Sequence, residues 1–128
     1  MSAVLDSSAI LALLLGEAGS EAVAASLDRA AVSAVNESEV LAVLMRRGAT
    51  AEEAVAALAM LDVASVALDS RLATSAARLE APTRPSGLSL GDRCCLALAQ
   101  HLGRPALTAD RSWADASGAV TVEIRLIR

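Results

Sequence analysis

The sequence predicts an α/β domain, with three layers in α/β/α order around a central, mainly parallel sheet of five strands. Three observations predict it. Short apolar runs alternate with helical periodicity along all 128 residues, the pattern of strands joined by crossover helices. Hydrophobic residues make up 55% of the chain and aromatics only 1%. The core must then be Ala, Val and Leu, which favours close packing of helices on a sheet. Finally, Asp6 and Asp110 each stand where an apolar run ends, and open α/β sheets bind ligands beyond the carboxyl ends of their strands.

The elements follow in order. Residues 3–5 are a first strand, and residues 8–15 a helix stopped near Gly16. Ser20 can cap a second helix reaching about Leu27. Residues 30–33 form a second strand, and residues 36–47 a helix ending at Gly48. Thr50 and Glu53 have capping-box spacing for a helix running to Leu61. Residues 63–68 are a third strand, and Asp69 caps a helix to about Glu80. Ala81-Pro82-Thr83-Arg84-Pro85-Ser86-Gly87 reads as a loop. Ser89 starts a helix reaching about Leu102, closed by Gly103. Residues 106–108 are a fourth strand, 110–118 a loop or short helix, and 120–124 a fifth strand. No linker or repeat interrupts the series, so residues 1–128 read as one domain.

Composition narrows the chemistry. The net charge of −4 argues against broad electrostatic attachment to nucleic acid or an anionic membrane. All 11 basic residues are Arg, so Schiff-base, P-loop and phospho-aspartate lysines are excluded. Cys94 and Cys95 are neighbours with no other partner, which reads as two buried thiols in a reduced, cytoplasmic protein. The apolar run over residues 9–15 lacks a preceding basic segment and is too short to span a bilayer. The expectation is a protein neither secreted nor embedded in a membrane.

The acids carry the functional signal. Asp6 alone reads as a helix cap. Asp92 fits a capping box with Ser89, yet shares a helix face with Cys95, Leu96 and Ala99. An acid on that stripe points toward the sheet. In the helix over residues 36–47, Glu39 lies between Val35 and Val43, while Glu37 shares a side with Leu41 and Leu44; periodicity does not choose between them. Asp110 repeats the situation of Asp6, and Asp115 is a weaker candidate. Two carboxylates about 5 Å apart repel by roughly 3 kcal/mol at an effective dielectric near 20. A cluster of four therefore needs protons or a cation. Oxygen ligands suit Mg²⁺, with Mn²⁺ as the variant. Zinc is disfavoured, because the lone His101 reads as a surface residue and the cysteines are adjacent. Carboxylate-held Mg²⁺ can bind a phosphodiester, lower the pKa of a water and stabilise the leaving oxygen. Arg93 and Arg111, each directly after an acid, are candidate phosphate contacts, and Ser7 is a candidate supporting hydroxyl.

Four segments carry a resemblance: Val4-Leu5-Asp6-Ser7-Ser8-Ala9; Ser33-Ala34-Val35-Asn36-Glu37-Ser38-Glu39-Val40; Leu88-Ser89-Leu90-Gly91-Asp92-Arg93 running into Leu96-Ala97-Leu98-Ala99; and Leu107-Thr108-Ala109-Asp110-Arg111-Ser112-Trp113. In this order and spacing the chain resembles the PIN-domain ribonucleases, specifically VapC-type toxins of bacterial toxin–antitoxin pairs. The resemblance implies a PIN-like domain whose metal site is Asp6, Glu39, Asp92 and Asp110. It selects Glu39 over Glu37, and adds the Thr108 hydroxyl near that site. It implies a Mg²⁺-dependent endoribonuclease acting on RNA such as tRNA or rRNA, a homodimer, and a cognate antitoxin that blocks the site. Residues 49–82 contain no diagnostic residue, so target choice does not transfer.

Two other readings compete. A phosphatase or phosphotransferase with Asp6 as nucleophile normally needs a lysine, which is missing, and the haloacid-dehalogenase-like form wants a second Asp where Ser8 stands. A non-catalytic interaction module would not require all four acids.

Overall fold

A computed structural model describes residues 2–128. Five strands form one sheet: β1 (Val4–Leu5), β2 (Ala31–Ser33), β3 (Ala64–Val66), β4 (Ala106–Thr108) and β5 (Ile124–Leu126). Their order is β3-β2-β1-β4-β5, and these neighbours all pair in parallel. Val4 stands beside both Ala31 and Ala106. The three central strands are buried, as expected of a parallel sheet covered on both faces.

Side-chain alternation divides the interior into two cores. Val4, Ala31 and Ala106 face one layer, together with α5 (Ser70–Arg78) and α7 (Leu90–Leu102). Leu5, Val32 and Leu107 face the other, with α1 (Ser7–Leu15), α2 (Ser20–Ala24), α3 (Ala34–Arg46) and α4 (Ala51–Ala59). The three-layer arrangement predicted from the alternation is present. α7 lies deep between the sheet and α5, and residues 94–99 are all buried. Cys94, Cys95, Ala97 and Ala99 are small enough to permit that approach. Burial pushes both thiols up, Cys95 well above the usual range, so neither is primed for reaction. Trp113, the only aromatic residue, is fully buried in the same core.

Several predicted boundaries are corrected. The fifth strand is Ile124–Leu126 rather than 120–124. A run of 3-10 turns occupies Arg111–Ala119. The chain reaches β4 only where Ala106 N–H donates to the Glu123 carbonyl, 2.9 Å. The stretch 81–87 is not an open loop. It holds α6 (Glu80–Thr83) and a 3-10 turn, Arg84–Ser86. Pro82 and Pro85 fall early in these turns, where a missing N–H costs no intrahelical bond. Ser20 does not cap α2. Gly19 precedes that helix without a side-chain cap, and the helix stops at Ala24. Gly19 has φ 93°, and a Cβ there would lie 2.5 Å from the Ile127 carbonyl oxygen. Close contact with Ile127, just past the last strand, therefore requires glycine at that position.

The capping box at α4 is present in full: Thr50 Oγ1 accepts from Glu53 N–H and Glu53 Oε1 from Thr50 N–H. Thr50→Ala is expected to cost about 1 kcal/mol. Urea unfolding followed by the fluorescence of Trp113 measures it, and an unchanged midpoint would show that the cap contributes nothing.

Candidate active site

The chain leaves β1 for β2 on one side, while β4 lies on the other. The strand order thus reverses between β1 and β4, and the crevice beyond their carboxyl ends is the ligand-binding position of such sheets. Asp6 emerges from β1 there, and Thr108 ends β4.

Asp6 is only 2% exposed and caps α1. Its Oδ1 accepts from Ala9 N–H at 2.8 Å and from Ser8 Oγ at 2.7 Å. Its Oδ2 accepts from Thr108 Oγ1 at 2.6 Å. The two hydroxyls are held in turn: Ser8 Oγ accepts from Ala109 N–H at 2.8 Å, and Thr108 Oγ1 from Asp110 N–H at 3.0 Å. The result is a polar cage joining the end of β1, the first turn of α1 and the end of β4. Burial pushes the Asp6 carboxyl from 3.8 up to about 6. The bonds from Thr108, Ser8 and Ala9 oppose that rise, and the charge of Asp92 adds to it.

Asp92 is half-buried in the first turn of α7, in a complete capping box with Ser89. Burial raises its pKa, the Ser89 bonds oppose this, and the charges of Asp110 and Glu39 raise it further. Asp110 is exposed and accepts from Ser112 N–H and Oγ at 3.0 and 2.7 Å. Glu39, on α3, accepts from Asn36 Nδ2 at 2.7 Å and lies against Gly91. Glu37 instead lines a cleft with Leu41, Val55 and Leu58.

Asp92 thus senses Asp110 and Glu39, and is itself sensed by Asp6. Yet among the described residues no three acidic, His or Cys side chains are close enough to form a ligand shell. The two observations are compatible. Each carboxylate is tied to a hydrogen-bonding partner of its own. The donors fit a hard divalent cation in kind, since they are all carboxylate or hydroxyl oxygens. They do not fit zinc. Cys95 lies behind the acids with its thiol fully buried, and His101 is exposed in the last turn of α7.

The other sequence candidates take varied positions. Arg93 donates from Nη1 to the Ala76 carbonyl at 3.3 Å, bracing α7 against α5. Arg111 and Asp115 are exposed, and Ser7 is half-buried at the start of α1. Ser8, rather than Ser7, carries the hydroxyl that reaches Asp6. Ser8, Asn36 and Gly91 were missed by sequence reasoning. Asp-x-Ser spacing is a local hydrogen-bonding signal and could have found Ser8. The i, i+3 spacing of Asn36 and Glu39 could have paired those two. Nothing local marks Gly91.

A covered parallel sheet with a buried carboxylate at its switch point, and Asp92 acting on its charge, defines an α/β domain with an acidic crevice at the position where such sheets bind ligands. The sequence model of the PIN domain matches residues 3–119. The chain belongs to the PIN-domain family. Among solved structures it is similar to a protein of the VapBC-5 structure from Mycobacterium tuberculosis, a member of the VapBC family of toxin–antitoxin systems. That match has 30% identity and a TM-score of 0.69, covering 98% of this chain and 99% of that one. A toxin–antitoxin complex from Klebsiella pneumoniae matches at 18% identity and TM-score 0.73, over 99% and 98% of the two chains. DNA-bound VapBC from Salmonella typhimurium matches at 15% and 0.71, over 100% and 99%. The last two speak for the fold alone. A search of curated proteins found no match.

Proposed function

We propose that this chain, as a single PIN unit over residues 1–128, is a metal-dependent endoribonuclease and the toxin of a toxin–antitoxin pair. The observation that carries this reading is Asp6, a carboxylate desolvated at the switch point and acted on by the charge of Asp92, which in turn is acted on by Asp110 and Glu39. These four residues would hold Mg²⁺ or Mn²⁺. When bound, the cation supplies charge to a phosphodiester oxygen and lowers the pKa of a water. Thr108 and Ser8 orient Asp6, and the N-terminus of α7 favours an ionised Asp92. The substrate is RNA, with tRNA and rRNA as the leading classes.

The partner proposed is an antitoxin protein, because the similar structures are toxin–antitoxin complexes. A cleft of about 340 Å³ between α3 and α4 offers it a seat, and Val55 and Met60 of this region are 54% and 86% exposed. A homodimer acting in the cytoplasm completes the proposal. Among the described residues no helix is long and apolar enough to cross a membrane.

Expression without antitoxin, followed by sequencing of cellular RNA ends, tests the reading. Discrete new ends in one RNA class are expected, and an unchanged end profile would overturn it. The open spacing of the acids favours a second reading, a non-catalytic interaction module. Such a module would bind the antitoxin and show no EDTA-sensitive cleavage.

A further inference from the structure

Asn36 is 1% exposed, in the first turn of α3. Its amide nitrogen donates twice: to Glu39 Oε1 at 2.7 Å and to the Gly91 carbonyl at 3.1 Å. Its Oδ1 is buried without a partner. Turning the amide over would set Oδ1 against a carboxylate and a carbonyl, three acceptors face to face, so chemistry fixes its orientation. An orphaned buried acceptor costs about 1–3 kcal/mol. Packing alone would be better served by an apolar residue.

Gly91 meets the same carboxylate from the other side. A Cβ on Gly91 would lie 2.6 Å from Glu39 Oε2 and 2.7 Å from Oε1. Gly91 is in the first turn of α7 with ordinary helical backbone, so glycine is there for space rather than conformation. Inside a helix, glycine costs up to about 1 kcal/mol relative to alanine. Two residues unfavourable to local stability therefore converge on one carboxylate, and one of them precedes Asp92.

We propose that Asn36 and Gly91 form a seat that positions the Glu39 carboxylate beside Asp92 for binding a divalent cation. The inference rests on the metal-dependent reading above. Both are positioning residues: Asn36 holds the carboxylate by its Oε1, and Gly91 leaves the space it occupies. The Asn36 bond to the Gly91 carbonyl also ties α3 to α7, so Glu39 and Asp92 keep a fixed relation although their helices are distant in sequence.

Mn²⁺ titration calorimetry on the purified full chain, alongside thermal unfolding in EDTA, tests the seat. In Gly91→Ala the methyl displaces the flexible end of Glu39 toward solvent, while the helix gains a better helix former. Expected are an equal or higher melting temperature in EDTA and a Mn²⁺ dissociation constant about 10–100-fold weaker. Asn36→Ala is expected to weaken Mn²⁺ similarly. In cleavage assays it should raise the Mn²⁺ concentration needed for half-maximal rate, with KM for RNA unchanged. If Asn36→Ala does not fold, Gly91→Ala alone decides. Seat variants that bind Mn²⁺ like wild type, while Glu39→Gln binds it weakly, would overturn the seat and leave the nuclease reading standing. A wild-type chain that neither binds Mn²⁺ nor cleaves RNA would remove both.

Discussion

Asp6→Asn is expected to lower RNA cleavage by roughly 10³-fold or more, with the fold retained. The magnitude follows from the several kcal/mol that a cation contributes to a phosphodiester transition state, at 1.36 kcal/mol per tenfold. The substitution keeps shape and most hydrogen bonds: an Asn Oδ1 still accepts from Ala9 N–H, and the Ser8 and Thr108 hydroxyls can each turn to accept from its amide. What it removes is the negative charge at the switch point. Asp92→Asn is expected to act likewise, because Asp92 is the acid sensed by Asp6 and itself senses Asp110 and Glu39. Cleavage of labelled RNA by the purified variants, with far-UV circular dichroism as the folding control, measures both effects. A variant cleaving at the wild-type rate would show the site to be wrongly assigned.

What was legible in the sequence was what is local. The Asp6 cap, the Ser89–Asp92 box and the Thr50–Glu53 box each join residues three apart in sequence, and each is present. The alternation of apolar runs and helical stretches sufficed for the sheet and its layers. The misread segments are those where a local signal has two outcomes. Pro82 and Pro85 mark a break in regular structure, but they also suit the start of a turn of helix, and packing against the 111–119 segment selects the second. The fifth strand begins where β4 can reach it, which the apolar pattern of 120–124 does not encode. The choice between Glu37 and Glu39 was open to periodicity because α3 presents apolar residues beside both. In the structure Glu39 lies against Gly91, brought by α7 from far along the chain, whereas Glu37 lines a cleft with Leu41. The hydrogen bond from Asn36 to Gly91 crosses 55 residues, so no local pattern could mark it. Resemblance to a family could select Glu39, but not the residues that hold it.

The buried carboxyl of Asp6, proposed above as a cation ligand, predicts a pH dependence of stability of definite sign in the metal-free protein. A carboxyl moved from 3.8 to about 6 by burial is easier to protonate in the folded than in the unfolded chain. Its stabilising contribution is full below pH 3.8 and is lost as pH rises through about 6. Above that range the ionised group costs the fold about 3 kcal/mol. The raised Asp92 acts in the same direction. The exposed Glu53, Glu80 and Glu123, whose pKa values are lowered by their own partners, act in the opposite direction. Comparing Asp6→Asn with wild type at each pH cancels these background groups. In EDTA at pH 7.5 the variant is expected to be more stable by about 2 kcal/mol, after allowing about 1 kcal/mol for rearranged hydrogen bonds. The gain should shrink as pH falls through 6 and turn into a deficit of about 1 kcal/mol below pH 4, where wild-type Asp6 is neutral and only the rearranged hydrogen bonds count. Millimolar Mg²⁺ or Mn²⁺ should reverse the order at pH 7.5, raising the wild-type melting temperature and leaving that of the variant nearly unchanged. Thermal unfolding followed by Trp113 fluorescence reads all of these conditions. A variant no more stable than wild type in EDTA would show that Asp6 is not a desolvated charge, and a wild-type melting temperature indifferent to metal would show that no cation relieves it.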